Sequence, residues 1–151
     1  MIRLFDRFRP TDTNIHALIS NKEEEAIFHI SDEDKVSSMD KDFVKNSGWH
    51  YPEALQIKLK THTLNAILDK HLPAGQKIDF MSIDIEGHDL QALQSLDLEK
   101  YRPHFIVIEM HNTSLENIQE NAVFQLLKHA DYRLENFALI NGFFVDARTG
   151  K

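Results

Sequence analysis

The stretch Lys77-Ile78-Asp79-Phe80-Met81-Ser82-Ile83-Asp84-Ile85-Glu86-Gly87-His88-Asp89-Leu90 decides the fold that we expect for this chain. Its first half is apolar on both alternating faces, which is typical of a parallel strand buried between two layers. Asp84 and Glu86 come where that strand ends, and Gly87 permits a sharp turn into the next helix. Open α/β sheets bind ligands at this carboxyl edge. The stretch therefore predicts a strand, a turn and a helix, with two carboxylates at a ligand site.

A second strand of the same design is predicted at Phe105–His111, where apolar residues again precede polar ones. Three leucines place an apolar stripe on the intervening helix. Two strands joined by a helix form a right-handed βαβ unit, which brings both strand ends to one edge of the sheet. We therefore expect one polar cluster at that edge, made of Asp84, Glu86, His88, Glu109 and His111.

The rest of the chain predicts short strands and capped helices. Alternating or apolar runs predict strands at Ile15–Ile19 and Ala26–Ile30, and an edge strand at Gln56–Lys60. Thr63 is predicted to cap the helix that follows it. Thr113 and Glu116 resemble a capping box before a later helix.

The last part of the chain predicts an antiparallel hairpin. Asn141-Gly142 is a strong hairpin signal, and it stands between the apolar runs Tyr132–Ile140 and Phe143–Asp146. The expected fold is therefore α/β, with a largely parallel sheet and a C-terminal antiparallel hairpin.

The segment Ser31–His50, acidic over 31–46, predicts a loop with one helical turn. Phe43, Trp49 and Tyr51, in and after this segment, allow two interpretations. They either pack a lid over a site or anchor a long loop to the body of the protein.

Length and charge limit the function classes. A chain of 151 residues predicts one domain with a real core. The net charge of -7, from 24 acidic and 17 basic side chains, argues against nonspecific binding of nucleic acid or anionic membranes. The chain has no cysteine, no apolar run of transmembrane length and a charged start unlike a signal peptide. We therefore expect a cytoplasmic protein that acts on a small molecule.

Three segments resemble the FkbM-type methyltransferases. They are Ile78–Leu90, Arg102–Glu109 and Thr63–Leu68, the last with Asn65 where the family usually has aspartate. The resemblance implies a Rossmann-like class I fold and O-methyl transfer from S-adenosylmethionine, often to hydroxyls of sugars or natural products. It also implies that Ser20, Asn21 and Asp84 contact the cofactor, with Ser20 and Asn21 at its adenine ring.

The chain departs from that family at its start. The family's glycine-rich cofactor loop is not found, because the five glycines are far apart: Gly48, Gly75, Gly87, Gly142 and Gly150. By resemblance, residues 1–151 form a single methyltransferase-like domain that begins near the third strand and lacks the N-terminal cofactor-binding unit. A sheet without that unit has an open edge, so we expect a homodimer or an N-terminal partner chain to cover it.

Under the family interpretation, a base must accept the proton of the acceptor hydroxyl. Asp84 and Glu86 are the first candidates, followed by His88, Glu109 and His111; the structural alternative is that Glu86 caps a helix and Glu109 ends its strand. A second hypothesis is that the same five residues bind a divalent metal in a hydrolase-like site. A third is that the chain is an inactive fragment or a half-enzyme that needs a partner chain.

Overall fold

The computed structural model describes residues 2–30, 37–46 and 56–148. The helices are α1 (Ile2–Phe8), α2 (Lys41–Asn46), α3 (Leu64–His71), α4 (Asp89–Gln94) and α5 (Ala122–His129). The strands are β1 (Leu18–Ile19), β2 (Glu25–His29), β3 (Gln56–His62), β4 (Phe80–Ile83), β5 (Phe105–Glu109), β6 (Tyr132–Ala138) and β7 (Asn141–Asp146). A 3-10 turn at Ile118–Glu120 precedes α5.

The strands form two sheets, with the orders β1-β3-β2 and β4-β5-β7-β6. The β1–β3 and β4–β5 pairs are parallel. The β2–β3, β5–β7 and β6–β7 pairs are antiparallel. The expectation of a largely parallel sheet is therefore wrong, because the terminal hairpin and the β2–β3 pairing outweigh the predicted βαβ unit. The β4–α4–β5 unit itself is present and parallel, so the chain is a mixed α/β protein.

β3 is the central strand of the first sheet, and the prediction of an edge strand there is wrong. Leu18 pairs with Thr61 in parallel, while Glu25 pairs with Lys60 in antiparallel register. The Thr61 hydroxyl is buried, donates to the Lys22 carbonyl (2.8 Å) and accepts from the Glu24 amide (2.9 Å). The alternating pattern misled because most β3 side chains remain exposed although both backbone edges are paired. Of the run predicted at 15–19, only the last two residues form a strand.

The core lies on one face of the second sheet. Helices α4 and α5 cover this face and bury the alternate side chains of β4, β5 and β7. The buried core consists of Ile83, Ala92, Leu93, Leu96, Leu98, Tyr101, Ile106, Ile108, Met110, Val123, Leu127, Tyr132 and Phe144. This one-sided packing fixes the ends of β4 and β5 relative to α4.

The opposite face of the same sheet exposes aromatic side chains. Phe80 is 59% exposed, Phe105 45% and Phe143 37%. The prediction that β4 is buried on both faces is therefore wrong for the described part of the chain, because its helices cover one face only. β4 also stands at the end of its sheet, with β5 as its described neighbour. A homodimer or an N-terminal partner chain on this edge and face stays a prediction.

The terminal hairpin is confirmed, but its turn lies two residues before the predicted position. Leu139 and Ile140 form the connection, and Leu139 has a positive φ of 58°. Gly142 lies inside β7, where an added Cβ would be 2.5 Å from Met110 Sδ and 2.7 Å from Phe144 Cε2. The glycine is required by this close approach to the core, and not by the turn.

Of the two predicted helix caps, the one at Thr63 is present and the one at Thr113 is not found in the described structure. Thr63 caps α3, since its hydroxyl accepts from the Ala66 amide at 3.1 Å. The capping box of Thr113 and Glu116 is absent from the described structure, because Asn121 caps α5 instead. The Asn121 side-chain oxygen accepts from the Val123 amide at 2.8 Å. The Asn121 side-chain nitrogen Nδ2 donates to Thr113 Oγ1 at 2.7 Å, so Thr113 supports the cap from outside the helix.

Several hydrogen bonds join the segment after β3 to the end of α4. The Ser95 hydroxyl accepts from the Leu64 amide (2.8 Å) and donates to the Ala92 carbonyl (2.7 Å). The side-chain oxygen of Asn65 accepts from the Asp97 amide at 2.8 Å. An aspartate, which the resemblance implies at this position, would offer the same acceptor.

Among the described residues, no helix has both the length and the apolar character needed to cross a membrane.

Candidate active site

The turn after β4 places Asp84 and Glu86 at the carboxyl edge of the second sheet, as predicted. Asp84 directly follows the strand and is exposed. Glu86 and Gly87 both have positive φ, 55° and 86°. A left-handed glutamate is strained, so the surrounding structure must hold this turn in place.

Asp89 holds that turn. Its Oδ1 accepts from the Ile85 amide at 3.0 Å, and its Oδ2 accepts from the Gly87 amide at 3.1 Å. The side chain is buried, and this burial raises the pKa of Asp89 despite the two amide donors. The sequence analysis gave Asp89 no role at the site, because nothing local in the sequence shows that a carboxylate folds back over a preceding turn.

The end of β5 brings Glu109 and His111 next to Asp89. His111 Nε2 lies 3.0 Å from Glu109 Oε2, and this buried nitrogen has no partner with hydrogen-bond geometry in the described structure. Single ligand atoms of Asp89, Glu109 and His111 lie within 4.8 Å of one another. The predicted convergence of the two strand ends is therefore present for Glu109 and His111, and Asp89 joins them as a residue that the sequence analysis missed.

The carboxylates at this edge repel one another. Burial raises the pKa of Glu86, and the charges of Asp84 and Glu109 raise it further. Burial also raises the pKa of Glu109, as does the charge of Asp84, while His111 lowers it. Several acidic groups in one partly desolvated place are typical of functional sites.

His88 belongs to a different contact. Its Nε2 lies 3.0 Å from the Ser20 hydroxyl in a hydrogen bond that connects the first sheet to the start of α4. Burial lowers the pKa of His88. His88 is therefore engaged with Ser20, whereas Glu109 and His111 contact each other.

The two residues that the resemblance assigned to the adenine ring have different environments. Ser20 is 6% exposed, and its hydroxyl is engaged with His88. Asn21 is exposed, and its amide donates to Gln94 Oε1 at 3.4 Å. A sequence separation of 68 residues between Ser20 and His88 leaves no local signal for their contact.

Helix α2 packs over the turn at Gly87. Phe43 meets the His111 ring edge-on, with ring centroids 5.1 Å apart. A Cβ on Gly87 would lie 2.6 Å from Phe43 Cδ2, so glycine is required there for space as well as for φ. The Ser38 hydroxyl also donates to the Glu86 carbonyl at 2.6 Å. Of the three aromatic residues predicted to form a lid or an anchor, Phe43 packs at the site, while Trp49 and Tyr51 lie outside the described residues, as does the acidic stretch 31–36.

Two adjoining cavities open at this edge, and both are lined by Gly87 and His111. The larger has a volume of about 440 Å³ and extends under α2, where Asp40, Asp42 and Asn112 line it. The smaller, about 160 Å³, is lined by Asp89 and Glu109. Together they form an open, acidic groove beside the Glu109–His111 pair.

A larger cavity, about 950 Å³, lies at the opposite end of the same strands. It is lined by Asp79 and His104, which directly precede β4 and β5. On its wall, Lys100 pairs with Asp69 and Arg102 pairs with Asp146, so the charges cancel within each pair. Its size alone does not outweigh the cluster of carboxylates at the carboxyl edge, where α/β sheets bind ligands.

Comparison with protein families identifies the family of this chain. Residues 6–134 match the family described as Methyltransferase FkbM domain, and that match spans both strand ends and the turn between β4 and α4. Comparisons with curated proteins and with solved structures found no significant match. Because the family match covers most of the chain, this protein belongs to the FkbM methyltransferase family.

Proposed function

We propose that this chain supplies the acceptor side of an O-methyltransferase that uses S-adenosylmethionine and modifies a hydroxyl of a sugar or natural product. The observation that carries this proposal is the Glu109–His111 pair, which lines an open groove at the carboxyl ends of β4 and β5. Family membership supports methyl transfer in general. The acceptor and the cofactor are the parts that we propose.

Glu109 is the base that we propose for the acceptor hydroxyl. A carboxylate is a better proton acceptor when its pKa is raised toward the working pH, and burial raises the pKa of Glu109. Its side chain is 13% exposed, so it lies close to solvent without being freely hydrated. The Glu109 carboxylate would accept the proton that the acceptor hydroxyl loses when its oxygen is methylated, and the cofactor would leave as S-adenosylhomocysteine.

Glu86, Asp84 and His111 are the positioning groups in this proposal. Glu86 and Asp84 are available to accept hydrogen bonds from further hydroxyls of the acceptor. His111 Nε2 lies 3.0 Å from Glu109 Oε2, so the imidazole would orient the Glu109 carboxylate toward the reacting hydroxyl. His88 takes no part, because it is engaged with Ser20.

The described residues do not by themselves form a cradle for the cofactor. Of the two residues that the resemblance places at the adenine ring, Ser20 is buried and bonded to His88. The sequence has no pair of nearby glycines for a loop that binds the methionine part of the cofactor. S-adenosylmethionine would supply an electrophilic methyl group. We therefore derive only the acceptor side of the reaction, and the half-enzyme hypothesis stays open as the alternative.

The test combines calorimetric binding of S-adenosylmethionine with a methyl-transfer assay on the purified chain, using Glu109→Gln and the exposed control Glu116→Gln. We expect Glu109→Gln to lower kcat by about 10²–10⁴-fold, with unchanged cofactor binding, because it removes only the base. Glu116→Gln should behave as the parent chain. A folded chain that neither binds the cofactor nor transfers methyl would contradict activity of this chain alone. Sedimentation equilibrium on the same sample would then show whether it is a monomer or a dimer.

A metal site is a second candidate function, and one observation favours it. Asp89, Glu109 and His111 offer two oxygens and one nitrogen within 4.8 Å, a set that suits manganese, iron or zinc. This set replaces Asp84, Glu86 and His88 of the predicted group by Asp89. Titration with Mn²⁺ or Zn²⁺ should raise Tm if the site binds, and His111→Asn should abolish that rise. An equal rise in the parent chain and in His111→Asn would contradict this candidate.

A further inference from the structure

One side of helix α1 is apolar and exposed. Phe5 and Phe8 are three residues apart, and Leu4 and Phe8 are four apart, so these side chains lie on one side of the helix. Leu4 is 56% exposed, Phe5 41% and Phe8 71%. In the described part of the chain, this side of α1 therefore remains largely uncovered.

The uncovered face of the second sheet is another exposed apolar surface. Cross-strand partners share one face of a sheet, and Phe105 is paired with Phe80 on one side and with Val145 on the other. Val107 is paired with Phe143 in the same register. These five apolar side chains therefore form one continuous surface, the aromatic face: Phe80, Phe105, Val107, Phe143 and Val145.

The opposite face of this sheet shows which kind of element covers it. Helices α4, of six residues, and α5, of eight, bury that face. Helix α1 has seven residues and one apolar side, so it is suited to cover the aromatic face in the same way. It does not do so within its own chain, because the phenylalanines of both surfaces are exposed.

We propose that this protein forms a symmetric dimer in which α1 of each copy packs on the aromatic face of the other copy. The charges near the two surfaces are complementary. Arg7 is exposed on α1, and Asp79 and Asp84 are exposed next to the two ends of β4. Arg7 of one copy would therefore lie beside an aspartate of the other.

The exposed area favours the reciprocal arrangement. At about 200 Å² for each phenylalanine, the exposed fractions of Phe5, Phe8, Phe80, Phe105 and Phe143 amount to roughly 500 Å² in one copy. A symmetric dimer covers both sets, about 1,000 Å² from these residues alone, which reaches the lower limit for a specific interface. A single helix on a single face would bury about half of that.

The first test is sedimentation equilibrium of the full chain over a range of concentrations. We expect a monomer–dimer equilibrium. Phe8→Ser and Phe80→Ser should each raise the dissociation constant about tenfold or more, because each substitution changes the interface twice. Leu139→Ser is the matched control, since Leu139 is 92% exposed at the connection between β6 and β7. It should leave the dissociation constant unchanged.

The second test identifies which surfaces meet. The chain has no cysteine, so introduced thiols have no native thiol to react with. Copies with Phe8→Cys and ¹⁵N-labelled copies with Phe143→Cys are mixed and oxidised. Mass spectrometry should then find a disulfide that joins position 8 of one copy to position 143 of the other. Leu139→Cys in place of Phe143→Cys should give little of this product.

Three results would overturn the proposal. The first is a chain that stays monomeric at every concentration up to about 1 mM. The second is a dimer that Leu139→Ser weakens as much as Phe8→Ser and Phe80→Ser do. The third is a double variant, Phe8→Cys with Phe143→Cys, that forms its disulfide within one copy, because α1 would then cover its own sheet.

Discussion

The charged groups at the two ends of β4 and β5 have opposite environments, ion pairs at the amino ends and clustered carboxylates at the carboxyl ends. At the amino ends, Arg102 pairs with Asp146 at 2.6 Å. Although burial opposes it, the hydrogen bond from Arg102 helps to hold the pKa of Asp146 below its usual value. At the carboxyl ends, Glu86 and Glu109 lie among other carboxylates, and burial raises the pKa of both. One end of the sheet is arranged for stability, and the other retains an electrostatic cost that is typical of a binding or catalytic site.

The largest expected effect comes from breaking the paired end. Arg102→Ala leaves the buried Asp146 carboxylate without its cation, and it removes the stacking of Arg102 over Tyr132 at 4.8 Å. We expect a loss of about 3–5 kcal/mol in the free energy of unfolding, measured by urea denaturation. The exposed pair Arg133–Glu135 provides a matched control, and Arg133→Ala should cost no more than about 1 kcal/mol. Similar costs for both variants would contradict the comparison between the two ends.

The turn at the acidic end is the next most sensitive position. Gly87→Ala places a Cβ 2.6 Å from Phe43 at a φ of 86°. We expect a cost of about 2–4 kcal/mol in stability, because the strain of the left-handed backbone adds to the overlap. Gly75→Ala is the control, since its φ is also positive but nothing lies within 4 Å of the added Cβ. A Gly87→Ala variant no less stable than Gly75→Ala would show that Phe43 does not pack against this turn.

A smaller effect, this time a gain in stability, is expected when a carboxylate is removed from the carboxyl ends of β4 and β5. Because the pKa of Glu109 is raised in the folded protein, folding binds protons there, and its charged form destabilises the fold at pH values above that raised pKa. The cost disappears as the pH falls through the raised pKa toward the value of the unfolded chain. Glu109→Gln should therefore raise Tm at pH 7 while lowering activity, with a smaller rise near pH 4. A variant that is less stable than the parent chain at pH 7 would contradict the raised pKa.

The smallest effect is expected at the exposed salt bridge between Lys22 and Glu24, in the connection from β1 to β2. Its nitrogen and oxygen lie 3.0 Å apart, with both side chains about half exposed or more. Lys22→Ala should change the free energy of unfolding by about 0.5 kcal/mol or less, and 0.5 M salt should remove the difference. A larger cost would show that exposed charges also stabilise this fold appreciably.

The sequence predicted the parts of the fold that depend on local patterns. The β4–α4–β5 unit, the Thr63 cap and the terminal hairpin each have a signal within a few residues. The turn was wrongly predicted at Asn141-Gly142 because glycine is favoured both in tight turns and where a side chain has no room. Glycine is required at position 142 because a Cβ would overlap Met110, and not because the chain reverses there.

The candidate site was predicted in part, for a physical reason. Glu109 and His111 lie where parallel strands must end, so topology alone brings them near Glu86. The role of Asp89 depends on two backbone amides that a turn exposes only after it has formed. The Ser20–His88 contact depends on how the two sheets dock, which no local pattern encodes.

That Ser20–His88 contact also has a consequence for how the chain folds. It closes a loop of 68 residues, whereas the β4–α4–β5 unit and the hairpin form from neighbours in sequence. Contacts of long sequence separation carry a large entropic cost and tend to form late. We therefore expect the docking of the first sheet to follow the rate-limiting step, so that Ser20→Ala accelerates unfolding and leaves the refolding rate nearly unchanged.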